Sequence, residues 1–196
     1  MRKGEQTRTS ILEHAVAMAS IHGLEGLSIG RLAARTGMSK SGLFGHFGSK
    51  DALQRAVLET VIEDFKFRVI APALRERTGE ARLRRLFSNW LDWAIADEKT
   101  GGCPLMSASI ELDDQPGPLR DYLVAQQVEW LDCIRRMTQK AVSEGNFRAG
   151  LDTRQFAFEF QSIGLGFNFA FRLLDEPQAP ARARAAFDSL IQKAKA

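Results

Sequence analysis

Cysteine is scarce in this chain: Cys103 and Cys133 are the two it has among 196 residues. Two thiols cannot build the cross-braced framework of a small secreted domain, and a reducing, cytoplasmic setting is the expectation. Long apolar runs are missing as well. No stretch reaches the roughly 18 residues that would span a bilayer, so no membrane partner is expected. The opening from Met1 to Arg8 is too polar for a secretory leader. Strand-like alternation of useful length is absent. So are a glycine-rich phosphate loop, a serine nucleophile elbow and a His/Cys set at metal-ligand spacing. His14 and His22 share a helix eight residues apart, with no thiol near them. The expectation is a protein that is not an enzyme and uses neither metal nor cofactor.

Charge of one sign is also weak, at +3 overall. Its distribution is more informative. Residues 1–50 hold seven Lys/Arg against three acids, a local +4, and the remainder stands at −1. All three histidines lie in the same first 50 residues. A basic end on a near-neutral body suits a surface that meets phosphates.

What the chain does have is helical periodicity throughout, giving an all-α fold of about nine helices. The informative stretch is Ser28 to Lys50, SIGRLAARTGMSKSGLFGHFGSK. Ser28 is placed to cap a short helix with Ile29, Leu32 and Ala33 on its inner face. Gly37 stops it, where a left-handed residue is needed. Ser39 caps a second short helix carrying Leu43, Phe44 and Phe47. Two short helices joined by a glycine turn form a helix–turn–helix unit, whose second helix enters the major groove of DNA. Lys40, Ser41 and Gly42 stand in the first turn of that helix, the part that reaches base edges, and His46 follows near its end. Gly42 and Gly45 strip side chains from the helix and permit close approach.

The run from Ser39 to Leu53, with Arg8 to Ala15 and His22 to Ser28 before it, resembles the signature of TetR/AcrR-type transcriptional regulators over about residues 5–65. The resemblance implies a DNA-binding domain over 1–50, extending to about 65, and a ligand-binding and dimerisation domain over 66–196. It also implies a homodimer that represses palindromic operators in double-stranded DNA and releases them on binding a small ligand. Lys50 becomes a phosphate contact by the same resemblance, and Ser28 and Ser39 are expected at DNA together with Lys40, Ser41, Gly42, Phe44 and His46. Two positions depart from the pattern. Phe44 stands where the family usually has tyrosine, keeping the packing but losing a hydroxyl to phosphate. Gly42 stands where Thr or Ser is common. These departures keep open a second reading, a small-molecule-binding or thiol-reactive sensor with weak or lost DNA affinity.

Elsewhere, residues 1–6 read as a short charged arm in which Arg2 and Lys3 could reach DNA. Pro72 and Thr78-Gly79 break the helix that starts at Lys50. Soft and aromatic residues, Phe87, Trp90, Trp93, Cys103, Met106, Trp130, Met137, Phe167 and Phe171, are candidates for a pocket that takes a small apolar ligand. Cys103, at a helix N-terminus, is also a candidate redox or electrophile sensor. The helix from Asp152 or Thr153 is apolar nearly all round, so two of its faces need cover. Phe160, Gly164, Phe167 and Phe171 on it, with Phe187 and Leu190 on the last helix, are the expected dimer seam.

Overall fold

Caps written locally into the sequence set the first helices. The computed structural model describes residues 3–96 and 101–195. Helix α1 spans Lys3–His22, α2 Ile29–Thr36 and α3 Lys40–Phe47. Ser28 Oγ accepts the Arg31 N–H at 3.2 Å, and Ser39 Oγ accepts the Gly42 N–H at 3.0 Å. Gly37 closes α2 in the left-handed region at φ 67°, and Met38 N–H returns to the Ala33 carbonyl at 3.1 Å. Helix α1 begins earlier than its periodicity predicts, so Lys3 to Gln6 are helical rather than an arm; Arg2 lies outside the described residues.

Helix α4, Lys50–Phe65, runs on through a π-helical turn, Lys66–Ile70, into a last α turn, Ala71–Leu74. Pro72 does not end the rod. A proline has no N–H, and in an α-helix its ring collides with the carbonyl four residues back; a wider π turn just before it accommodates both defects. The remaining helices are α5 Gly79–Ala96, α6 Pro104–Glu111, α7 Pro118–Ser143, α8 Thr153–Asn168 and α9 Ala179–Lys195, with a π turn Phe169–Leu173 extending α8. Counting each continuous rod once gives nine helices, and there is no strand, among the described residues.

The chain forms two compact units. One holds residues 3–65 together with 101–124; the other holds 66–96 and 125–195. The first unit takes in 101–124 along with the amino-terminal helices. The reason is the core: Ala108, Leu112 and Leu123 are buried in one apolar cluster with Ile11, Leu27, Leu32, Leu43, Leu53 and Val57. Burying a Leu or Val side chain is worth about 1.5–3 kcal/mol.

The second unit is built on aromatic rings. Phe87 of α5 stacks on Phe187 of α9 with centroids 4.2 Å apart, and Trp90 stacks on Phe160 of α8 at 5.8 Å. Trp130 of α7 meets Trp90 edge-on at 5.5 Å and donates its indole N–H to Gln161 Oε1 at 2.8 Å. Gly164 is the close-approach point, but for Trp90 rather than for a second chain: a Cβ there would stand 1.8 Å from the indole.

Carboxylates tie the ends of this unit. Glu80 at the start of α5 accepts from Arg84 and from Lys195 at the end of α9, each at 2.9 Å. Burial pushes the Glu80 carboxyl up, but its bonds to Lys195 and Arg84 outweigh this and hold it below the ordinary range. Glu144 is lowered by Lys140 and by the Gly79 N–H, which it accepts at 2.7 Å. A carboxyl lowered in the folded state adds stability above its unfolded pKa and loses it as pH falls through the folded value. Thermal unfolding followed against pH should therefore show a plateau near neutrality and a decline below the ordinary glutamate range. Glu80→Gln should lower the plateau and shallow the acid limb.

Candidate nucleic-acid interface

Eight residues make a marginal helix alone, so α3 depends on its cap and its buried side. Leu43 is fully buried and Phe47 nearly so, both in the core of the first unit. The guanidinium of Arg8 on α1 lies over the Phe47 ring at 5.2 Å from its centroid. That anchoring leaves the opposite face outward. Lys40, Ser41, Phe44, Gly45 and Gly48 are all exposed, at spacings that place them side by side. His46 and Gly42 are half-buried at the margins, and the His46 ring tilts against Phe47 with centroids 6.4 Å apart.

The residues expected at DNA fall into three groups. Lys40 and Ser41 stand on the open face. Ser28 and Ser39 spend an acceptor on a cap; each hydroxyl retains a donor, and Ser39 Oγ lies 3.1 Å from Ser41 Oγ. Phe44 is half exposed, on the same face as Lys40. A Cβ on Gly42 would come within 3.2 Å of Ser39 Oγ, so a larger residue there would press on the cap. Gly45 has open space around it.

Lys50 is engaged within the protein. Its ammonium donates to Glu25 Oε2 at 2.8 Å and to the Glu25 carbonyl at 3.3 Å. The partners of this loop were not visible in the sequence. Glu111, at the end of α6, accepts from the backbone N–H groups of Leu24 at 3.2 Å and Glu25 at 2.9 Å. Buried Gln54 donates to the Leu24 carbonyl at 2.8 Å, and Gly102 N–H donates to the Ser20 carbonyl at 2.9 Å. Among Glu111, Asp113 and Asp114, the first is a cap for a distant loop, while Asp113 and Asp114 are exposed.

The residues expected to line a pocket are not drawn into one unit. Cys103 and Met106 belong to the first, and Cys103 occupies the cap position of α6. Phe87, Trp90, Trp93, Trp130, Met137 and Phe167 are buried in the second, and Phe171 is half-buried, stacked on Phe167 at 5.2 Å. Cys133 is half-buried, and burial pushes its thiol up. Of the expected dimer seam, Phe160, Gly164, Phe167, Phe187 and Leu190 face the core of their own unit and are too buried to meet a second chain. The exposed apolar face of α8 is instead Phe158, Leu165 and Phe169, continued by Leu173, each at least half exposed. No group of three or more metal-ligating side chains and no helix long and apolar enough to cross a membrane occurs among the described residues.

A three-helix head whose second and third helices form a glycine-turned pair, with the outer face of the third open, is a helix–turn–helix DNA-binding head. Residues 11–57 match the family described as bacterial regulatory proteins, tetR family, and residues 79–187 match the tetracyclin repressor-like C-terminal domain. The chain belongs to the TetR family of transcriptional regulators. No curated protein matches its sequence. Among solved structures, a TetR transcriptional regulator from Chloroflexus aurantiacus J-10-FL is 26% identical with a TM-score of 0.86, covering 98% of this chain and 96% of that one. AibR, solved with isovaleryl coenzyme A and operator DNA, is 22% identical at a TM-score of 0.71, covering 90% and 96%. The ketosteroid transcriptional regulator KstR2 of Mycobacterium tuberculosis is 19% identical at 0.73, covering 96% and 95%. The last two likenesses speak to the fold.

Gly45 sits mid-helix with nothing for a methyl to strike. Gly45→Ala should therefore raise folding stability by about 0.5–1 kcal/mol, measured by denaturant unfolding. A loss of stability would show that the site is not open.

Proposed function

We propose that this protein is a homodimeric, ligand-responsive repressor that docks α3 of each subunit into the major groove of a palindromic operator. The observation that carries this is the outward face of α3. It keeps two glycines in an eight-residue helix, at a folding cost, and shows only Lys40, Ser41 and Phe44 around Gly45 and Gly48. Folding has no use for a bare helix face there; a duplex that must come close does. Lys40 and Ser41 are the base or phosphate readers in this arrangement, with His46 at the margin, and Ser28, Ser39 and Lys50 serve phosphates. Phe44 offers an apolar contact, such as a thymine methyl, in place of a hydroxyl.

The dimer is supported by α8. Phe158, Leu165, Phe169 and Leu173 are exposed by 65, 50, 55 and 70% and fall along one side of the rod. A phenylalanine-rich stripe of this kind marks an interface. Helix α9 packs beside α8 and exposes small residues, Ala181, Ala185 and Ser189, that permit a close four-helix seam with a second copy. The ligand reading rests on the family and on the fold shared with AibR and KstR2. The body, residues 66–96 and 125–195, is the place for a small apolar molecule that favours one of two states.

The test is a gel shift on DNA from the protein's own upstream region. Retardation should weaken steeply with salt, and Lys50→Ala should weaken binding to all sequences alike and flatten the salt slope by about one unit. A protein that binds no duplex at low salt would leave the sensor reading in place of the repressor. Leu165→Glu should convert a dimer to a monomer in analytical ultracentrifugation without unfolding it, because the side chain is half exposed in the subunit. A wild-type chain that stays monomeric at micromolar concentration would remove the dimer.

A further inference from the structure

Lys50 holds the side chain and the backbone of one residue, Glu25. Where its ammonium stands is therefore decided by where that backbone stands. The Glu25 and Leu24 N–H groups are both taken by the Glu111 carboxylate of α6. Gly23 makes the room: it lies at φ +72°, and a Cβ on it would come within 2.1 Å of Glu111 Oε1. Gln54, one turn after Lys50 on α4, holds the Leu24 carbonyl. Two residues of the α1–α2 corner are thus clamped by groups from α4 and α6, all within the first compact unit.

We propose that Glu25 and Glu111 restrain the phosphate contact of Lys50. Glu25 acts as an internal stand-in for a DNA phosphate, and Glu111 fixes Glu25 so that it stays in reach. This inference rests on the DNA-binding reading above. The Lys50–Glu25 pair is exposed, at 41% and 65% of the side chains. A duplex phosphate can therefore compete for the ammonium, which has three protons to give. The Glu25 carboxylate competes with the incoming phosphate for that ammonium and lowers the return on the contact. A shift of α6 moves Glu111, the corner and the ammonium together, so the position of α6 is reported at a phosphate-binding side chain.

Anisotropy of a labelled duplex of mixed sequence, titrated over a range of salt, tests this, because phosphate contacts are indifferent to sequence. Glu25→Gln and Glu111→Gln should each tighten binding at low salt by up to about fivefold, the reach of an exposed ion pair. Each should also steepen the salt slope by less than one unit, because one ammonium neutralises at most one phosphate. Combined with Lys50→Ala, neither should have any effect. Glu25→Gln changes an exposed side chain and keeps its shape, so it reports even if the Glu111 variant is unstable. Equal tightening in the Lys50→Ala background would reduce the effect to general charge and overturn the proposal. Tightening by Glu25→Gln with a folded but unchanged Glu111→Gln would remove α6 from it. Wild-type protein that binds no duplex at low salt would instead overturn the DNA-binding reading, and this one with it.

Discussion

The corner between α1 and α2 has more backbone polar groups than it can satisfy by itself. Helix α1 ends at His22, Gly23 turns left-handed, and α2 does not start until Ile29. Leu24 and Leu27 must be buried for the head to have a core, and burial strips water from the groups beside them. A buried donor or acceptor left unpaired costs about 1–3 kcal/mol. Glu111, Gln54 and Gly102 come from distant parts of the chain to meet that demand. Glu111 and Gly102 thus join the apolar core in holding residues 101–124 to the amino-terminal helices. A head cut at residue 65 would lose both Glu111 and the apolar trio Ala108, Leu112 and Leu123.

The reading helix lives under a related constraint. It is short and contains glycine, so its order is imported: a serine cap in front, Leu43 and Phe47 beneath, and Arg8 laid over the Phe47 ring. Everything that stabilises α3 sits on one side of it. The other side is thereby left to chemistry with a partner, and this division is what makes a helix of eight residues usable as a probe of a groove.

Local signals in the sequence translated directly. Ser28, Ser39 and Gly37 do what their side chains dictate within three or four residues, and α2, α3 and the turn between them follow. The three tryptophans read as pocket-lining residues, and the structure places them in the aromatic core of the second unit. What periodicity could not tell was which of two apolar faces on α8 is inside. Phe156, Phe160 and Phe167 turn inward and Phe158, Leu165 and Phe169 outward, and composition is the same on both. Gly164 had the look of an approach point, but the approaching group is Trp90, some seventy residues away in sequence. Pro72 reads as a stop under α-helical rules and is absorbed by a π turn that no propensity announces. The role of Glu111 was not legible, because hydrogen bonds spanning 86 and 87 residues leave no periodic trace.

The three indoles, Trp90, Trp93 and Trp130, all belong to the unit of residues 66–96 and 125–195, while the chain's one phenol, Tyr122, belongs to the other and lies under the Arg55 guanidinium at 3.4 Å. The protein is therefore optically partitioned. Light absorbed at the red edge of the aromatic band reports on the body alone, and the lone tyrosine is a native chromophore for the head.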